Sequence, residues 1–320
     1  MRHVLRTVPT RAPSALLLVL PLLAATSALV ATRSIRAQVA ISDADLEGAS
    51  EGRVIALGNV SSGRVTTIPL EMYVARVVAG EAEPAAPEAS QQALAIAIRT
   101  FATANGRRHA RDGFDLCDGT HCQVPRNATA ATRQAAFATA GHVLAFEGAV
   151  ADVYYSANCG GQTETATEVW PRASYPYLRS VPDDVHEDEP SWTLERTLTQ
   201  MHQALERANV TGRLTGVEIA SRNDSGRVSR IRLVGLQPEL MAGDAFRAAL
   251  GTTSIRSTAF TLDRLGDVVR FTGRGYGHGI GMCVVGAGRR ARRGESADSI
   301  LTTYYPGVRI TPIAMLTGSR

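Results

Sequence analysis

The stretch 81-EAEPAAPEASQQALAIAIRTFATAN-105 begins with two acids, crosses a Pro-Ala hinge and then runs almost without charge. Pro87 and Glu88 suit a first helical turn, since proline already holds a helical φ and an acid complements the positive end of the dipole. Ala93, Leu94, Ala97, Ile98 and Phe101 follow at helical spacing, with Ala95 and Ile96 beside them. A helix that is apolar on nearly every side must be enclosed by protein, so it is expected as the central element of the fold. Glu81 stands at its mouth, and what a carboxylate does there is the question the rest of the chain has to answer.

Outward from this helix, 53-RVIALG-58 and 64-RVTTIPL-70 carry strand-forming runs split by Ser61-Ser62-Gly63, a hairpin pattern. Leu70, Tyr73, Val74, Val77 and Val78 predict a helix over 69–80 that Gly80 ends, leaving Glu81 just past it. Downstream, Asn127 is expected to cap a helix over 129–140, and 142–161 reads as two strands followed by a Gly-Gly turn. Residues 215–234 form a hairpin pattern turned at Asp224-Ser225-Gly226. A short helix near 243–250, strand patterns at 258–263 and 267–273, and the glycine-rich 273-GRGYGHGIGM-282 follow. Helices and hairpins mingle without βαβ alternation. The expected class is α+β, with the apolar helix packed on antiparallel sheets and the glycine loop lining a cleft.

Arg2, Arg6 and Arg11 precede the apolar run 15-ALLLVLPLLAATSALVA-31, the pattern of an export leader. Residues 1–37 are therefore read as a signal peptide, or as an anchor if uncleaved, 38–51 as a linker and 52–312 as one domain. The protein is expected outside the cytoplasmic membrane, touching it only through an uncleaved leader. The formal charge of +4 comes largely from this segment, which holds five of the 34 basic residues and no acid. Without it the chain is nearly neutral, which argues against a nucleic-acid partner.

Three places could carry chemistry. The 273–282 loop presents Tyr276 and His278 on a backbone able to approach a ligand, though it lacks the Lys-Ser/Thr of a phosphate loop and could be a tight structural turn. Cys117, His121 and Cys122, with His109 upstream, suit zinc. A Cys117–Cys122 disulfide and free thiols are the alternatives. The stretch 156-SANCGGQTETATEVW-170 mixes small, polar and acidic groups before Trp170, as a sugar-binding cleft would, or as an ordinary exposed loop would.

Taken in order, IPLEMYVARVVAGEAEPAAPEASQQALAIAIRTFA (68–102), FDLCDGTHCQV, YYSANCGGQTETATEVW, YPYLRSV (175–181), GRGYGHGIGM and YYPG closely resemble the stage II sporulation protein D family, which includes the amidase enhancers. The resemblance runs from about Arg53 to about Ile310. It implies a peptidoglycan lytic transglycosylase that prefers glycan strands stripped of stem peptides, with Glu81 as catalytic acid in the V-V-A-G-E segment. It also implies a polar cleft built with Ser156, Gly160, Gly161 and His278, and zinc near Cys117, His121 and Cys122. No cofactor is then required for the chemistry. The alternative is a glycan-binding module without catalysis that activates a cell-wall amidase; a zinc amidase ranks third. Ala82-Glu83 after the catalytic position, Leu94 in the helix and Cys283-Val284-Val285 depart from the common family pattern. Glu83 could assist Glu81 or be a surface charge.

Overall fold

The computed structural model describes residues 40–170, 175–183 and 191–316; the leader lies outside them. Helix α1 (Asp43–Ala49) leads into the hairpin of β1 (Val54–Gly58) and β2 (Val65–Pro69), followed by α2 (Leu70–Glu81) and α3 (Glu88–Ala104). Strand β3 (Leu116–Cys117), helix α4 (Ala130–Ala138), β4 (His142–Phe146), β5 (Ala149–Val150), β6 (Tyr155–Ser156) and the single turn α5 (Ala166–Val169) come next. A second group comprises β7 (Trp192–Thr197), α6 (Leu198–Leu205), β8 (Thr211–Arg222), β9 (Val228–Gln237), β10 (Leu240–Ala242), α7 (Gly243–Leu250), β11 (Phe260–Leu265) and β12 (Val268–Gly273). The chain then returns through β13 (Met282–Cys283), α8 (Val284–Arg292), α9 (Ala297–Tyr304) and β14 (Arg309–Pro312). The class is α+β, with nine α-helices and several small sheets among the described residues.

Two hydrophobic clusters hold these elements. The first combines residues 46–178 with 280–313, and the second lies wholly within 192–271. Helix α3 buries twelve of its seventeen residues and touches α2, α4, α8, α9 and β4, as its even apolar coat requires. The second cluster is built on the long β8–β9 hairpin, with β10 beside β9, and on the sheet β11-β12-β7. Strands β6 and β13 pair in parallel, Cys283 opposite Ser156, and so join the end of the chain to its middle.

Three local expectations are corrected. Residues 43–49, read as linker, are helical: Ser42 and Asp45 form a reciprocal capping box and Leu46 is fully buried, so this stretch belongs to the first cluster. Gly80 does not end α2, which runs on through Glu81 until Ala82 turns extended. Thr129 caps α4 instead of Asn127, exchanging bonds with Thr132.

The charges inside this core escaped notice in the sequence. Arg99 of α3 is fully buried and donates from Nε and Nη2 to Glu71 of α2, at 2.8 and 2.5 Å. Its remaining donors reach the carbonyls of His142 and Ala136, while Glu71 also accepts from the Gly141 amide. Satisfying both ions in this way makes their burial tolerable and pins α2, α3, α4 and the start of β4 together.

Candidate functional site

Glu81 is the last residue of α2, half-buried, and its Oε1 accepts a 3.0 Å hydrogen bond from the Val124 amide. That contact depends on the residue before it. A Cβ at Gly80 would lie 1.8 Å from the Val124 carbonyl oxygen, so only glycine lets the 123–126 segment close on the helix end. Burial raises the Glu81 carboxyl above the ordinary glutamate range. The Val124 amide and the Arg126 charge oppose the shift without cancelling it.

Around the carboxyl lie two phenols and an amide. Gln123 accepts from the Tyr73 hydroxyl at 2.9 Å and donates to the Tyr155 hydroxyl at 3.1 Å. Burial, and then the Glu81 charge, raises the Tyr155 phenol well above its usual range; Tyr73 shifts the same way through burial and the nearby Cys122, Cys117 and Glu81. Both phenols therefore stay protonated. A pocket of about 360 Å³ is lined by Leu57, Arg76, Pro125, Arg126 and Asn127. Glu83 packs over α8 at Gly288, with Arg292 3.8 Å from its Oε2.

The glycine loop is held by the loop after β6. Asn158 and Tyr276 exchange backbone hydrogen bonds of 3.0 and 2.8 Å, which lays 156–161 against 274–278. Gly160 packs on the backbone of Arg274 and Gly275, while Ser156 is buried against Gly277 with its hydroxyl unpartnered. Tyr276 is exposed. His278 Nδ1 accepts from the Ile280 amide at 3.0 Å, and its ring lies 5.6 Å from Trp170 and 6.4 Å from Tyr154. Burial, and then the charges of Arg227 and Arg247, lower its pKa to about 4, so this imidazole is neutral at neutral pH. Gly160, Gly161, Tyr276 and His278 thus belong to one pair of loops. Glu81 lies at the end of α2, and its charge is felt by Tyr155, whose strand β6 leads into that pair.

The 109–122 loop gathers four donors. His109 Nε2 lies 3.2 Å from His121 Nδ1, Cys122 Sγ lies 3.8 Å from the same nitrogen, and with Cys117 all four ligand atoms fall within 4.8 Å of one another. The thiols of Cys117 and Cys122 are not joined to each other. Two thiols and two imidazoles suit tetrahedral zinc, and Asp112 at 2.8 Å from His109 Nδ1 supplies the outer carboxylate that commonly orients such a ligand. His109 joins the three residues expected as ligands.

Sequence reasoning missed Val124, Tyr155 and Gln123 as neighbours of Glu81. The motifs that contain them say nothing of this contact, because a backbone amide bond across 43 positions leaves no trace in composition.

Residues 59–146 match the family described as stage II sporulation protein, and residues 186–281 match a domain of unknown function. Stage II sporulation protein D of Bacillus amyloliquefaciens is 29% identical over 277 residues, covering 78% of this chain and 76% of that protein. An uncharacterized protein of Brachyspira hyodysenteriae is 30% identical over 252 residues, covering 77% and 67%. The amidase enhancer of Bacillus subtilis is 26% identical over 274 residues, which is 69% of this chain but 37% of that longer protein.

Proposed function

Because the chain belongs to the stage II sporulation protein D family, we propose that it is an exported cell-wall enzyme that cleaves peptidoglycan glycan strands, with Glu81 as its acid and base. The supporting observation is the setting of that carboxyl, half-buried at the end of α2 against the Val124 amide, where burial shifts it toward its neutral form. A pair of carboxyl groups is the usual glycosidase device. A single one suffices when the nucleophile is part of the substrate. Glu81 gives its proton to the glycosidic oxygen as the bond to C1 breaks. The resulting carboxylate then takes the proton of the N-acetylmuramic acid C6 hydroxyl as that oxygen closes on C1. The product carries a 1,6-anhydro ring, no water is consumed and Glu81 ends as it began. Such a cycle needs a carboxyl that retains its proton near neutral pH.

In this reading the two glycine-rich loops form one wall of a cleft over 52–312, with α3 as its dry floor. Tyr276 and Trp170 offer ring faces to sugars, and neutral His278 orients a hydroxyl. Ser156 acts from beneath as packing, since it is buried. Zinc held by His109, Cys117, His121 and Cys122 stiffens the loop that carries Val124 to Glu81, and takes no part in the chemistry.

The likeness to an amidase enhancer supports a second reading, in which the protein binds glycan and activates an amidase without cutting sugar. Glu81→Gln separates the two. Under the enzyme reading it abolishes anhydromuramyl release from stripped glycan in a folded protein. Under the second it stimulates the amidase as well as wild type does.

A further inference from the structure

A second cluster of metal-type donors lies away from the 109–122 loop, beneath the paired glycine loops. Cys159 follows β6; Cys283 ends β13 and caps α8; Asp183 comes from the segment whose amide bonds the Gly161 carbonyl at 3.0 Å. All three are buried, at 1%, 2% and 9% exposure, and their ligand atoms lie within 4.8 Å of one another. Cys159 Sγ is 3.2 Å from Asp183 Oδ2. Cys283 Sγ accepts from the amides of Cys159 and Gly286, at 3.2 and 3.3 Å.

The surroundings are short of partners. Asp183 Oδ1 has only a loose ion pair with Arg290 Nε, at 3.8 Å, and it and the Tyr304 hydroxyl oxygen are buried without a hydrogen bond. Tyr304 and Asp183 meet over the same glycine: a Cβ at Gly286 would lie 2.0 Å from Asp183 Oδ2 and 2.2 Å from the Tyr304 oxygen. A buried carboxylate oxygen and a buried hydroxyl without hydrogen bonds, beside two sulfurs, leave acceptor positions that a cation would fill.

We propose that Cys159, Cys283 and Asp183 form a second, buried site for a thiophilic divalent cation of the zinc class, with the Tyr304 hydroxyl or a water completing the tetrahedron. Bonds of about 2.3 Å to sulfur and 2.0–2.2 Å to oxygen give ligand–ligand edges of roughly 3.4–3.8 Å, so the cluster needs only a small adjustment. Each thiol loses its proton to solvent as its sulfur bonds the cation. Two protons leave as two positive charges arrive, and the net charge beside Arg227 and Arg290 is unchanged. The bound ion would tie the 156–161 loop to the start of α8 and to the 181–183 segment.

The full-length chain, reduced and stripped of metal, is titrated with Co²⁺ while near-ultraviolet thiolate-to-cobalt bands are followed, alongside Cys117→Ser/Cys122→Ser and Cys159→Ser/Cys283→Ser variants. Wild type should bind two cobalt ions with thiolate bands from both, and each double variant should lose one ion and keep the other's bands. Should the Cys159/Cys283 variant fail to fold, the wild-type stoichiometry and the Cys117/Cys122 variant carry the result. A folded wild type that binds a single cobalt overturns the proposal. So does a Cys159/Cys283 variant that still binds two, or peptide mapping of the untreated protein that recovers a Cys159–Cys283 disulfide.

Discussion

Glu81 is a carboxyl whose neutral form the fold favours, and this has consequences for both rate and stability. If it is the acid of the reaction, activity on stripped glycan should fall as pH rises through its raised pKa, and a pH–rate profile will show that limb. Stability should move with it. A group with folded pKa above its unfolded value of about 4.5 destabilises the folded state once ionised, so the penalty is absent below that value and grows as pH rises toward the folded pKa. Glu81→Gln should therefore be more stable than wild type at neutral pH and lose that advantage near pH 4, as denaturant melts at the two pH values will reveal. His278 behaves oppositely. Its pKa falls from 6.5 to about 4 on folding, so stability is lost as pH drops through that window, and His278→Gln should flatten the loss by on the order of 2 kcal/mol. Glu81 was legible through the family resemblance of its V-V-A-G-E segment; its amide partner was not, because nothing in the sequence gives Val124 a role beside it.

Among the elements, α2 ends at Glu81, and two features hold that helix in place. One is the contact at Gly80, where a methyl group would collide with the Val124 carbonyl. Gly80→Ala should force the 123–126 segment away, exposing Glu81 and lowering activity well beyond its effect on melting temperature. The other is the Arg99–Glu71 pair. Removing one partner strands a buried charge, so Arg99→Met should cost about 3–5 kcal/mol by urea melts, with Arg99→Met/Glu71→Leu costing less than the two single changes together. The apolar stripe of α3 was legible because the 3.6-residue period is a local property. The salt bridge was not, since Arg99 reads as a stray charge in an apolar helix until tertiary structure brings Glu71 across 28 positions. The capping of α1 could have been read from Ser42 and Asp45, whose spacing is that of a capping box.

At the level of the whole molecule, the described residues hold two hydrophobic clusters. The hairpins of the second cluster were visible in their alternation and turn residues. Which strands share a core is not a local property, and alternation alone does not say. The second cluster meets the glycine loops through specific bonds: Trp192 Nε1 donates to the Gly275 carbonyl at 3.1 Å, and the buried Arg227 donates to the Cys159 carbonyl at 2.5 Å. Zinc adds a further brace if the 109–122 donors hold it. Chelation should then lower the melting temperature of the full chain and reduce activity in parallel, with both restored by zinc; chelation that leaves melting unchanged would remove the structural role. The measurement that bears most directly on the central claim is mass spectrometry of the products released from peptide-stripped glycan by wild type and by Glu81→Gln. A lone protonated carboxyl should yield 1,6-anhydromuramyl ends from wild type and none from the folded variant. Anhydro products from both proteins, or from neither, would contradict it.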